Sequence, residues 1–190
     1  MSDRVSDCPP LLAPGEHDLS MDEIQTLCVQ SFPLSKTRNE IMHGFRRIVE
    51  DLERLQIPSD IVVDGSFLTQ EIDPDDIDFA VVVSPAIFES CDPNQTGYLE
   101  WIRDEFSIKS THLCDCYLCV EYPNNHPEYF DGIQNRKWWV TLYAESVVYK
   151  RKRGVAIVRV AGGSHQETPT SSIDIDNFYV SPKRRIRLDD

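Results

Sequence analysis

No run of apolar residues in the chain comes near the ~20 needed to cross a bilayer. The opening residues, MSDRVSDCPPLLAPG, do not have the charged-then-apolar order of a secretory leader. We therefore expect a soluble protein of the cytoplasm with no membrane partner. Positive charge is also scarce: 19 Lys and Arg stand against 32 Asp and Glu, giving a net charge of −13. A surface of that sign repels nucleic acid and anionic membranes unless its charges are segregated. Two basic islands, YKRKRG (residues 149–154) and SPKRRIR (residues 181–187), provide some segregation, or are solvated loops. The five histidines form no cluster, no Ser-His-Asp arrangement has local support, and there is no internal repeat.

What is present suits one domain. The 190 residues are 41% apolar and 27% charged, long enough and apolar enough for a real core. Of six cysteines, Cys114, Cys116 and Cys119 share one apolar, strand-like run. Disulfides would need turns there, so free core cysteines in a reducing compartment are the better reading. A zinc site from His112, Cys114, Cys116 and Cys119 is disfavoured, because same-face neighbours on one strand do not wrap a tetrahedral ion.

Hydrophobic periodicity and punctuation give the elements. Residues 1–19 are Pro-rich and read as an extended arm. Ser20, with Glu23 three residues on, is a capping box that opens a short helix over 21–30. Ile41, Phe45, Ile48, Leu52 and Leu55 lie at helical spacing, so a long amphipathic helix is expected over 36–56, with Ser35 as N-cap. Strands are expected over 61–63, 77–83, 111–122 and 154–160, with a hairpin partner for the last over 147–150. Helices are expected from Thr96 and around Trp138, Trp139 and Leu142. The core domain is then 20–160, followed by a flexible linker and polar tail over 161–190.

The chemistry gathers in IVVDGSFLTQEIDPDDIDFAVVV. Five carboxylates fall within the eight residues from Glu71 to Asp78. Asp73 and Asp75 flank Pro74 and read as a solvated acidic turn. Asp76 and Asp78 are different, because they stand two apart at the mouth of a buried strand, on one face, with Ile77 pointing into the core. Paired carboxylates repel each other and lose hydration. A divalent cation resolves both problems, and a phosphate substrate completes its shell. Gly65 and Ser66 follow the preceding strand. There the glycine allows close backbone approach to an anion, and the amides and hydroxyl can hold phosphate oxygens, unless the pair only makes a turn and an N-cap. Asp115, alone in the apolar run HLCDCYL, faces away from core cysteines and needs a partner. A cation shared with Asp76 and Asp78 would be one. Lys150 and Lys152 are candidate contacts to a triphosphate or an RNA acceptor, or belong to an exposed turn.

Gly65-Ser66, nine intervening residues, Asp76-Ile77-Asp78-Phe79 and a later strand aspartate together resemble the signature of DNA polymerase beta-like nucleotidyltransferases. The arm and short helix before the core resemble a small, uncharacterised prokaryotic family of that superfamily, and KRKRGVAIVRV resembles its Lys-Gly strand. The resemblance covers residues 11–160. It implies an α/β (α+β) nucleotidyltransferase core, a small mixed sheet of four or five strands with helices packed on one face. Asp76 and Asp78 would bind both Mg²⁺ or Mn²⁺ ions, and Asp115 would bind the catalytic one. Gly65 and Ser66 would hold the β- and γ-phosphates of a nucleoside triphosphate. The implied activity is transfer of a nucleoside monophosphate to a hydroxyl of RNA, tRNA included, or of protein, in a toxin–antitoxin or phage-defence setting. The alternative is a weakly active or inactive regulatory subunit of the same fold. The short chain shows no obvious separate acceptor-binding domain, so a partner protein or a homo-oligomer is expected.

Overall fold

The structure is a computed structural model, which describes residues 8–103, 105–129, 136–144 and 152–160. Lys150, the expected strand over 147–150 and the linker and tail over 161–190 lie outside the described residues.

The capping box forms as the sequence implies. The Ser20 side chain accepts from the Glu23 amide, and the Glu23 carboxylate accepts from the Ser20 amide at 2.8 Å. Helix α1 (Met21–Gln25) follows and runs into a π-helical turn, Thr26–Gln30. Helix α2 (Arg38–Arg54) buries Ile41, Phe45, Ile48 and Leu52. Its start is tied down by two side chains. The Ser35 hydroxyl accepts from the amides of Thr37 and Arg38, and Asp73 accepts from the Lys36 amide at 2.6 Å. Asp73 is therefore a helix anchor as well as part of an acidic turn. Its exposed carboxyl is held below the usual range, chiefly by the Lys36 amide.

Among the described residues five strands make one mixed sheet: β1 (Gly15–Asp18), β2 (Ser59–Asp64), β3 (Ile77–Val83), β4 (Cys114–Val120) and β5 (Gly154–Val160), in the order β1-β5-β2-β3-β4. The two outer pairs are parallel and the two inner pairs antiparallel. Strand β1 has no apolar alternation to announce it. It forms because the arm runs beside β5, and Arg159 of β5 holds Asp18 at 2.7 Å. The arm also meets the loop after β2, where the Leu11 amide donates to the Leu68 carbonyl and the Gln70 amide to the Pro9 carbonyl.

After β3 come α3 (Pro85–Ser90), α4 (Pro93–Arg103) and α5 (Glu105–His112). Helix α5 takes in Thr111 and His112, which the sequence reading assigned to a strand. The chain turns at Leu113, whose φ of 55° is left-handed, and its amide still bonds the Lys109 carbonyl, so the helix closes before β4 starts. The end of α5 packs close against α2. A side chain at Gly44 would collide with the His112 carbonyl.

Alternation along the strands splits the core in two. Ile61, Val63, Ile77, Phe79, Val81, Cys114 and Cys116 join α2, α4 and α5 on one face. Val62, Ala80, Val82, Cys119, Val155 and Ile157 pack on the other face with Trp139 of α6 (Arg136–Ala144). The expectation of helices on one face alone is thus corrected. Residues on both sides of β2, β3 and β5 are apolar, and α6 covers the second side. Trp139 is buried against Tyr117 and belongs to the core. All six cysteines are free, and four of them are buried. Cys114 and Cys116 lie on the opposite face from Cys119, which separates the atoms a zinc site would need. Among the described residues no helix is long and apolar enough to cross a membrane.

Candidate active site

Strand register assembles the site. Asp78 is the partner of Asp64 across the antiparallel β2–β3 pair and of Asp115 across the parallel β3–β4 pair. Three aspartates from three adjacent strands therefore stand in one row across the sheet. By strand alternation they lie on the face that α6 covers further along. Asp76, two residues before Asp78, joins them. The ammonium of Lys109 lies 2.6 Å from Asp76 Oδ2 and 3.3 Å from Asp115 Oδ2, so one group touches both side chains.

The neighbouring loop fits this row. Gly65 has φ 89°, a left-handed conformation that costs glycine nothing. A Cβ there would fall on the Asp78 carboxylate. The glycine is thus required twice, by its backbone angle and by the acid beside it. A 3-10 turn, Ser66–Leu68, follows, closed by the Thr69 amide and hydroxyl on the Ser66 carbonyl.

Arg38 fixes that loop from below. It is fully buried and donates to the carbonyls of Cys28, Phe67, Thr69 and Glu71 at 2.6–3.1 Å, with the Phe32 ring 3.9 Å from its guanidinium carbon. The buried bonds to Cys28, Phe67 and Thr69 and the part-buried one to Glu71 are all made by one side chain. Sequence reading missed Arg38, because the first turn of an amphipathic helix is an ordinary place for an arginine.

Electrostatically the site is over-acidic. Asp64 is buried and pairs with Arg153. Burial pushes its carboxyl up to about 7, against the pull of Arg153 and the Gly65 amide. Burial first, then the charges of Asp76, Asp115 and Asp64, push Asp78 up to about 8, with Lys109 working against them. Among the described residues no basic side chain forms an ion pair with Asp78. One oxygen each of Asp64 and Asp115 is buried with no hydrogen-bond partner.

The sequence-predicted residues are accordingly gathered as follows. Asp76, Asp78, Asp115 and Gly65 converge, and Ser66 stands half-buried at the start of the adjoining turn. Lys152 is exposed just before β5, beside the Arg153 that reaches Asp64. Asp64 and Lys109 are the residues that sequence reading passed over. Asp64 carried a readable signal, an acid closing a buried strand immediately before Gly-Ser.

The donor set consists of carboxylate oxygens, which suits a hard divalent cation such as Mg²⁺ or Mn²⁺. The two orphaned buried oxygens of Asp64 and Asp115 fit such an ion. Among the described residues, however, no three His, Cys, Asp or Glu side chains stand in a ready-made ligand group. The position between Asp76 and Asp115 is taken by Lys109.

Fold and site together define a mixed α/β domain with a carboxylate cluster at one end of its sheet, next to a glycine turn. The chain belongs to a family of unknown function, DUF6932, whose model matches residues 6–160. No curated protein and no solved structure matches it.

Proposed function

We propose that the chain is a metal-dependent nucleotidyltransferase, moving a nucleoside monophosphate from a triphosphate to a hydroxyl of RNA or protein. The observation that carries this reading is the register of Asp64, Asp78 and Asp115 across β2, β3 and β4, beside a glycine turn shaped around Asp78. The motif resemblance described above supports it, since the same residues carry both.

Asp76, Asp78 and Asp115 would hold the cations. When bound, these would neutralise phosphate charge and make the acceptor hydroxyl more acidic. The Gly65–Ser66 turn would receive the β- and γ-phosphates through its amides and the Ser66 hydroxyl. Asp115, buried between β4 neighbours, would orient the acceptor hydroxyl and take its proton. The acceptor oxygen then bonds to the α-phosphorus, the bond from that phosphorus to the bridging oxygen breaks, and pyrophosphate leaves. The chain's part is fixed geometry and charge compensation, which is most of the catalysis in phosphoryl transfer.

The test is to incubate the protein with each labelled triphosphate, Mg²⁺ or Mn²⁺, and total RNA or candidate proteins. Label transfer that Asp76→Ala and Asp78→Ala abolish supports the enzyme, and its absence with every triphosphate and acceptor counts against it. One observation favours a second reading, a regulatory subunit of the same fold with little or no catalysis. Lys109 and Arg153 already compensate part of the cluster from within the chain. That reading predicts that neither metal nor nucleotide raises the melting temperature.

A further inference from the structure

We propose that Lys109 is a built-in counterion of the carboxylate cluster, which competes with a divalent cation for Asp76 and Asp115 and so sets how tightly the site takes metal. The inference rests on reading the cluster as a cation site and adds a residue that the motif does not contain.

The acids are the fixed half of this contact and the lysine the movable half. Asp115 is held in β4 by its pairing with β3 and has its side chain 4% exposed, and Asp76 is 18% exposed, whereas Lys109 is 45% exposed and ends a flexible stem. The stem's root is nevertheless anchored. Lys109 lies in the last turn of α5, its carbonyl bonds the Leu113 amide, and the Leu113 carbonyl in turn accepts from the Ile77 amide at the head of β3. The backbone therefore delivers the ammonium to the head of the row, while rotation of the side chain can withdraw it into solvent.

Charge counting gives the competition its direction. Two acids, Asp76 and Asp115, share the single ammonium of Lys109, while Arg153 is taken by Asp64. An entering divalent ion finds Asp115 Oδ1 buried and unpartnered but must share Asp76 and Asp115 with the ammonium. Like charges a few ångströms apart in a partly buried site repel by several kcal/mol even at an effective dielectric of ~20. Metal binding and the Lys109 contact are thus mutually exclusive, and the coupling is reciprocal.

The test is a Mn²⁺ titration of the full chain, reading free ion by its paramagnetic resonance, with wild type, Lys109→Met, Lys109→Gln and Lys109→Arg. The expected result is Mn²⁺ binding tightened about tenfold or more in both neutral variants and near wild type in Lys109→Arg. The two neutral variants differ in polarity, so either one that folds carries the test. The wild-type chain supplies a second readout that needs no variant: Mg²⁺ should move the Lys109 Nζ resonance and speed its hydrogen exchange. Equal Mn²⁺ affinity in wild type and the neutral variants, with a still Nζ resonance, overturns the competition and leaves the nucleotidyltransferase reading intact. Failure of all four proteins to bind Mn²⁺ overturns both.

Discussion

The Asp78 carboxylate lies where a side chain on Gly65 would project, and the backbone at Gly65 has a φ of 89°. Loop and strand are therefore fitted to each other at one atom position. The phosphate-binding candidate and the metal-binding candidate are parts of a single packed unit.

Gly65→Ala should for this reason cost more than an ordinary turn substitution, on the order of 1–3 kcal/mol from the left-handed angle alone, with the collision added. In a double-mutant cycle with Asp78→Ala, the collision is relieved and the angular strain remains. Urea unfolding should then give a coupling of about 0.5–3 kcal/mol. Strict additivity would mean that the two residues do not share that space.

Arg38 gives a prediction about the loop rather than the acids. Arg38→Met keeps the bulk but leaves the carbonyls of Cys28, Phe67, Thr69 and Glu71 without their donor. Each unsatisfied buried group costs about 1–3 kcal/mol, so a loss of at least ~3 kcal/mol is expected. Arg38→Lys should recover only part of it, since an ammonium cannot reproduce the planar fork. Amide hydrogen exchange should localise the added opening to residues 66–71. A loss spread evenly over the sheet would contradict the anchoring role.

The pH dependence follows from Asp64 and Asp78. Burial pushes their folded carboxyls up to about 7 and about 8, above the ordinary 3.8, so between those limits the folded chain holds protons that the unfolded chain has released. Stability is then greatest at low pH within this window and falls as pH rises through the folded values. In EDTA, the melting temperature should drop between about pH 5 and about pH 9, and Asp78→Asn should flatten the slope. A melting temperature that rises over that interval would contradict the assignment.

Much of this was legible from residue order, for identifiable reasons. Strand β3 matches the expected span because Ile77, Phe79 and Val81 leave no other way to bury the run. Asp115 stands out because an acid alone among apolar strand residues needs a partner. Asp64 presents the same anomaly but was masked by the Gly-Ser pair after it. Strand β1 was unreadable because Gly15–Asp18 is polar and its pairing is created by β5, far along the chain. Lys109 could not be read at all. Its place depends on where α5 stops, and the left-handed turn at Leu113 set that stop against the strand propensity of Thr111. The covering of the second sheet face by Trp139 is likewise a tertiary fact, invisible to periodicity within one helix.

Asp78→Asn separates repulsion from metal binding. Asparagine keeps the shape beside Gly65 and removes one charge from a row in which Asp76, Asp115 and Asp64 all raise the cost of ionising Asp78. In EDTA at about pH 8 the variant should therefore melt at or above the wild-type temperature. Added Mn²⁺ should reverse the order. A ligand at 100 times its Kd stabilises by about 2.7 kcal/mol, and the wild type should gain on that scale while Asp78→Asn gains little. The informative quantity is the difference between the two Mn²⁺ responses, since higher stability of the variant in EDTA is expected of any crowded acidic row. If Mn²⁺ raised both melting temperatures equally, Asp78 would not be a ligand, and the row of aspartates would need a purpose other than holding a cation.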